Sequence, residues 1–95
     1  MRVVIQCVDK PAHEAVRAAN RDAHLAHIKA QGERVVFAGP LLTPDGEGMV
    51  GSLLIMDFDT LADAHAFTDA DPYNKAGLFE RVEVRPVKQV LPGQG

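Results

Sequence analysis

Two apolar runs, Val35-Val36-Phe37-Ala38 and Met49 through Phe58, flank the segment Thr43-Pro44-Asp45-Gly46-Glu47-Gly48, and this arrangement constrains the chain more than any other. An Asp-Gly step between hydrophobic runs is hairpin chemistry. The glycine takes a positive φ without a steric penalty, and the short carboxylate closes the turn locally. A hairpin in the middle of the chain then asks what its two flanks can add to the sheet.

Before the hairpin, Val3-Val4-Ile5-Gln6-Cys7-Val8 reads as a strand that is apolar on both faces except at Gln6, and Asp9-Lys10-Pro11 stops it. Residues 12–31 are alanine-rich and lack strand alternation, which predicts helix. Arg21, His24, Leu25 and Ile28 share one stripe, whereas residues 12–19 do not continue it. The pattern therefore predicts a looser helical turn followed by a firm helix from about Asn20, an N-cap residue type, closed by Gly32. After the hairpin, Thr60-Leu61-Ala62-Asp63 has the spacing of a capped helix start, and the helix runs to about Thr68. Leu78 through Val87 alternates apolar and charged residues as a half-exposed last strand, with Pro86 at an edge or bend. Within the second strand, Gly39-Pro40 predicts a break in the ladder. In the third, Leu54, Met56 and Phe58 share one face, and Leu53 and Ile55 the other. Pro92 through Gly95 reads as a frayed tail.

The order is β-α-β-β-α-β, an α+β, ferredoxin-like arrangement with a four-stranded antiparallel sheet and both helices on one face. Two helices cover one face only. Since the first and third strands are apolar on both, the other face is expected to bury itself against a second copy as a homodimer. Ninety-five residues suit one domain spanning 1–95.

A hydrophobic share of 46% and a charged share of 24% belong to a folded globular chain rather than a disordered one. Net charge is -3 and no basic block is present, which argues against nucleic acid as a partner. Cys7 stands alone, so no intrachain disulfide forms, and a reducing compartment is the simpler expectation. The amino-terminal apolar run is too short for a signal peptide, and no run approaches the ~20 residues of a membrane span. A cytoplasmic protein without membrane contact is expected.

Chemistry is expected around Asp69-Ala70-Asp71-Pro72-Tyr73-Asn74-Lys75-Ala76-Gly77, which carries the chain's single tyrosine and an Asp-Pro step. Asp71 begins at the end of an inward-facing stripe, and Pro72 pushes it toward extended geometry. It is either a turn-forming Asx residue or the partner of His24. His24 in turn is either a core-rim histidine satisfied by one hydrogen bond or part of a polar pocket shared with Arg21. If paired, the carboxylate sets the imidazole tautomer and leaves the other ring nitrogen to move protons. His13 and His65 fall on solvent-facing positions, and His27 lies about 60° off the His24 stripe, which disfavours a two-histidine metal site. Neither metal-ligand spacing nor a phosphate-binding glycine loop is present, so no metal or cofactor is expected. Ser52 would need His24 as its base to act as a nucleophile and lacks an elbow motif.

Arg21-Asp22-Ala23-His24-Leu25, Phe37-Ala38-Gly39-Pro40-Leu41, Gly51-Ser52, and Asp69 through Tyr73 with Ala76-Gly77-Leu78-Phe79 together resemble the YciI-like (YCII-related) family, in order and over nearly the whole chain. The resemblance implies a ferredoxin-like dimeric α/β barrel. It also implies a pocket whose His and Asp fall on His24 and Asp71, with Ser52 lining the same region. Members largely lack an assigned reaction, and one activity in the group is a dehydrochlorinase acting on a hydroxylated aromatic ring. Val87 departs from the aromatic residue often found after the last proline.

From these readings His24 is expected to act as general acid/base oriented by Asp71 on an unidentified small molecule, in isomerase, lyase or dehydrochlorinase-like chemistry. Arg21, Ser52 or the Gly39 backbone N–H would stabilise oxyanion charge, and Tyr73 would wall the pocket. The alternative is a non-catalytic module, either binding a small ligand or serving a structural role in which the His–Asp pair staples helix to turn.

Overall fold

The computed structural model describes residues 1–93. In chain order the elements are β1 (Arg2–Asp9), α1 (Glu14–Lys29), a 3-10 turn (Gly32–Arg34), β2 (Val35–Leu42), β3 (Met49–Asp57), α2 (Leu61–Asp69), the one-turn α3 (Pro72–Lys75) and β4 (Phe79–Pro86). The strands form one antiparallel sheet in the order β2-β3-β1-β4, the ferredoxin-like topology. No helix among the described residues is long and apolar enough to cross a membrane.

Alternation along the two central strands decides where the core lies. Val3, Ile5 and Cys7 of β1 and Leu54 and Met56 of β3 point to one face, where they pack with Ile28, Ala64, Phe67 and Tyr73 from the helices. Val82 and Val84 oppose Cys7 and Ile5 across β1–β4 and extend the same core. The other face carries the odd-numbered residues of β3 and the even-numbered ones of β1. There Val4, Val8, Leu53 and Ile55 are half-buried, and Phe37 of β2 is 51% exposed.

The local chemistry of the turns and caps explains why the elements end where they do. In the β2–β3 connection Gly46 has φ 79, and the Asp45 carboxylate accepts from the Thr43 hydroxyl at 2.6 Å and the Glu47 N–H at 3.0 Å. These bonds hold the Asp45 carboxyl below its ordinary range, the Thr43 hydroxyl contributing most. Thr60 caps α2 by accepting the Asp63 N–H at 3.1 Å.

Several expectations need correction. α1 is one continuous helix of 16 residues from Glu14, and Asn20 lies in its interior, donating from its side-chain amide to the Val16 carbonyl at 2.9 Å. The stripe is continued before Asn20 by Arg17, seven residues ahead of His24, which a count of apolar residues passes over. The C-cap is Ala30 in right-handed geometry, and Gly32, at φ 57, opens the 3-10 turn instead of closing the helix. β2 runs straight through Gly39-Pro40, with Pro40 opposite Ser52; its ladder irregularities fall at Val35/Phe37 and Leu41/Leu42. An edge strand needs donors toward one neighbour only, so a proline fits there. Leu78, read as strand, is a buried residue ahead of β4. Of the expected frayed tail, Pro92 and Gly93 form a turn, and Gln94 and Gly95 lie outside the described residues.

Candidate functional site

Asp71 occupies the junction between α2 and α3. With φ −61 and ψ 126 it has the extended backbone that a following proline favours and an N-cap requires. Its Oδ1 accepts the Tyr73 backbone N–H at 2.9 Å. The same oxygen meets Nδ1 of His24, 47 positions upstream, at 2.8 Å. Both side chains are buried. The two readings open for Asp71, turn-former and histidine partner, therefore coincide in one oxygen atom.

An ionised carboxylate only accepts, so the pairing places the imidazole hydrogen on Nδ1 and leaves a lone pair on Nε2. Nε2 has no bond among the described residues, and no fully buried side-chain nitrogen or oxygen among them lacks a partner. Nε2 must therefore reach open space. That space is a cleft of about 380 Å³ between α1 and the helix-facing side of β2 and β3. Leu25 and Ile28 of α1 and Ala38, Pro40 and Leu54 of the sheet form its apolar walls.

Tyr73 stacks on His24 with ring centroids 3.8 Å apart and planes 15° from parallel. The Arg17 guanidinium also lies over the Tyr73 ring, 4.7 Å from its centroid. Two side chains of α1 thus grip Tyr73, and α3 with it. Burial raises the Tyr73 hydroxyl pKa, and the nearby charges of Arg17 and Arg21 oppose that rise without cancelling it.

Arg17, 6% exposed, is the most buried charged residue on α1 and was not anticipated. It makes a bidentate pair with Asp9 at the end of β1, Nε to Oδ2 at 2.7 Å and Nη2 to Oδ1 at 3.0 Å. Burial would lower its pKa, but the hydrogen bonds and charge of Asp9 outweigh this and raise it. Nη2 also donates to the Ser52 hydroxyl at 3.0 Å. The hydrogen bond of Ser52 within the protein is thus with Arg17 and not with His24. Ser52 is placed by its neighbour: a Cβ at Gly51 would sit 2.3 Å from the Cys7 carbonyl oxygen, so only glycine permits β1 and β3 to approach at that point. Beneath the cluster, burial, with the negative charges of Asp71 and Asp9 adding to it, pushes the Cys7 thiol up to about 12.

The structure brings His24, Tyr73 and Ser52 to one cleft, with Asp71 behind His24. Arg21 lines it too, but is exposed at its mouth instead of buried beside His24. Gly39 borders the cleft through its backbone, and its missing Cβ points at the Phe37 ring, 3.3 Å away, on the sheet's far side. A signal for Arg17 was available in its seven-residue spacing from His24, two helical turns on the same face. Of the remaining histidines, His27 bonds the Phe67 carbonyl at 2.9 Å and stacks on Phe67, His13 is half-buried with Nδ1 on the Pro11 carbonyl, and His65 is exposed. No group of three potential metal ligands occurs among the described residues.

The profile of the YCII-related domain matches residues 1–88. Protein YciI of Escherichia coli O6:H1 is 38% identical over 98 residues, covering 96% of this chain and 100% of that protein. A Haemophilus influenzae protein shows the same 38% identity over 98 residues, with coverage of 96% and 100%. Among solved structures, 5-chloro-2-hydroxyhydroquinone dehydrochlorinase (TftG) from Burkholderia phenoliruptrix AC1100, in complex with 2,5-dihydroxybenzoquinone, superposes with a TM-score of 0.86 at 35% identity, covering 93% of this chain and 94% of that one.

Proposed function

This chain belongs to the YCII-related family, and from that premise we propose that it is a small-molecule enzyme in which His24 transfers protons as general acid/base, oriented by Asp71. The observation that carries this reading is the 2.8 Å contact from Nδ1 to Asp71, which leaves Nε2 directed at the cleft. A buried carboxylate behind the ring stabilises the imidazolium that forms when Nε2 takes a proton. In an elimination the proton passes to Nε2 as the leaving group departs with its electron pair; in an isomerisation the same nitrogen returns the proton elsewhere. Neither step calls on a dissociable cofactor. The dehydrochlorinase at 35% identity supports the elimination form and a hydroxylated ring as substrate.

The test uses the compound named for that relative, 5-chloro-2-hydroxyhydroquinone, with chloride release as the readout. His24→Gln should lower release by about 10²-fold or more while the circular dichroism of the protein is retained. Undiminished release would remove His24 from the mechanism. Binding without release in the wild type would favour a non-catalytic ligand-binding module, since the same cleft and cations would serve one.

The functional unit we propose is a homodimer formed through the open sheet face, where Phe37, Val4, Val8, Leu53 and Ile55 present apolar surface that no helix covers. Sedimentation equilibrium at micromolar concentration should give twice the chain mass. A monomer would contradict it.

A further inference from the structure

We propose that the ligand of the cleft is a small anion carrying its negative oxygen beside the reacting position, and that Arg21 and Lys29 select it by charge. The proposal rests on reading the cleft as the substrate site. Three cationic residues, Arg17, Arg21 and Lys29, line the cleft, and no carboxylate among the described residues does; Asp9 and Asp71 stand behind Arg17 and His24. The whole chain carries a net charge of -3, so the cleft runs against the sign of the molecule. Arg17 is neutralised by Asp9, whereas neither Arg21 nor Lys29 takes part in an ion pair among the described residues. Two uncompensated cations therefore stand at the mouth of an otherwise apolar cleft, where low-dielectric walls strengthen their field.

The polar groups further in are donors. Ser52 accepts from Arg17 and so keeps its own O–H to give. The Tyr73 hydroxyl donates to no acceptor among the described residues, and as a phenol whose pKa burial raises further it keeps its proton at neutral pH. With Nε and Nη2 of Arg17 committed to Asp9 and Ser52, Nη1 remains a donor without a partner among the described residues. Facing these donors, Nε2 of His24 is the acceptor. A ligand that satisfies both sets has an ionised oxygen for the donors and a removable proton for His24, on a body thin enough to lie between Leu25, Ile28 and the sheet.

The experiment compares 2,5-dihydroxybenzoquinone, an anion at neutral pH, with its uncharged dimethyl ether by calorimetric titration. The wild type should bind the anion about tenfold or more tightly than the ether, and added salt should narrow the gap. In the double variant Arg21→Gln/Lys29→Gln the anion should weaken about tenfold, with the ether unaffected. Equal affinity for the two compounds, no binding of the anion, or unchanged anion affinity in the double variant would each overturn the proposal. Anion binding in a wild type that turns over nothing would sink the catalytic reading and leave the anion site standing. Turnover that depends on His24, with the ether preferred, would do the reverse.

Discussion

His24 and His27 lie one turn apart on α1, and each stacks on an aromatic ring at an interplanar angle of 15°, with centroids 3.8 Å and 4.3 Å apart. Each ring also makes one hydrogen bond to a distant part of the chain, His24 to Asp71 and His27 to the Phe67 carbonyl. By packing they are near twins. Their partners separate them. A carboxylate carries a full charge and supports an imidazolium, whereas a carbonyl offers a dipole that is satisfied by a neutral N–H. The second nitrogen of His24 opens on a cleft with apolar walls and a cationic mouth. His27 borders a separate hollow that it shares with Arg34, Asp63 and Phe67. Stacking and burial alone thus do not mark a functional histidine; the charge behind the ring and the space before it do.

The two histidines should part most visibly when they are changed in parallel. Against the loss of about 10²-fold or more expected for His24→Gln, His27→Gln should leave turnover within about threefold and cost about 1 kcal/mol of stability in urea unfolding. Equal losses of turnover would mean that the two histidines do not differ in function.

Asp71→Asn sharpens the contrast between them by removing the charge and keeping the shape. Asparagine remains a good N-cap for α3 and still accepts from Nδ1, so the melting temperature should hold. Turnover should fall about tenfold because the imidazolium loses its counter-charge. A variant as active as wild type would show that His24 needs only an acceptor, as His27 has.

An effect outside the cleft concerns Cys7, which is buried beneath the His24 side of the sheet. Its pKa in the folded protein is raised from 9.0 to about 12, chiefly by burial. The unfolded chain gives up this proton first, so the contribution is intact below pH 9 and lost as pH rises toward 12. Stability should decline across that window by up to about 1.4 kcal/mol per pH unit, and Cys7→Ala should flatten the decline in unfolding titrations. An unchanged slope would mean that the thiol is not what limits alkaline stability.

Much of the fold was legible because its signals act within a few residues. The Asp45-Gly46 turn, the Thr60 cap and the alternation of Leu54, Met56 and Phe58 are each decided by neighbours in the chain. Asp71 before Pro72 was legible for the same reason, since proline restricts its predecessor whatever else surrounds it. Arg17 was not. A charged residue buried on a helix is stable only when a partner arrives, and Asp9 arrives from the end of another element. Arg21 was misread by the same logic in reverse: it shares the stripe of His24, but no buried carboxylate meets it, so it stays in solvent at the cleft mouth. Gly51 belongs to this class too, because its need for glycine comes from the carbonyl of Cys7 on the neighbouring strand.

The sequence by itself determined the order of elements, the hairpin at the centre, the faces of the strands and the backbone geometry that presents Asp71. Tertiary structure alone decided which polar groups were buried and paired. Asp71 with His24 and Arg17 with Asp9 and Ser52 join positions 47, 8 and 35 residues apart. The physical reason is that desolvating a charge is unfavourable until its counter-charge and hydrogen bonds are in place, and only the assembled sheet and helices bring them there.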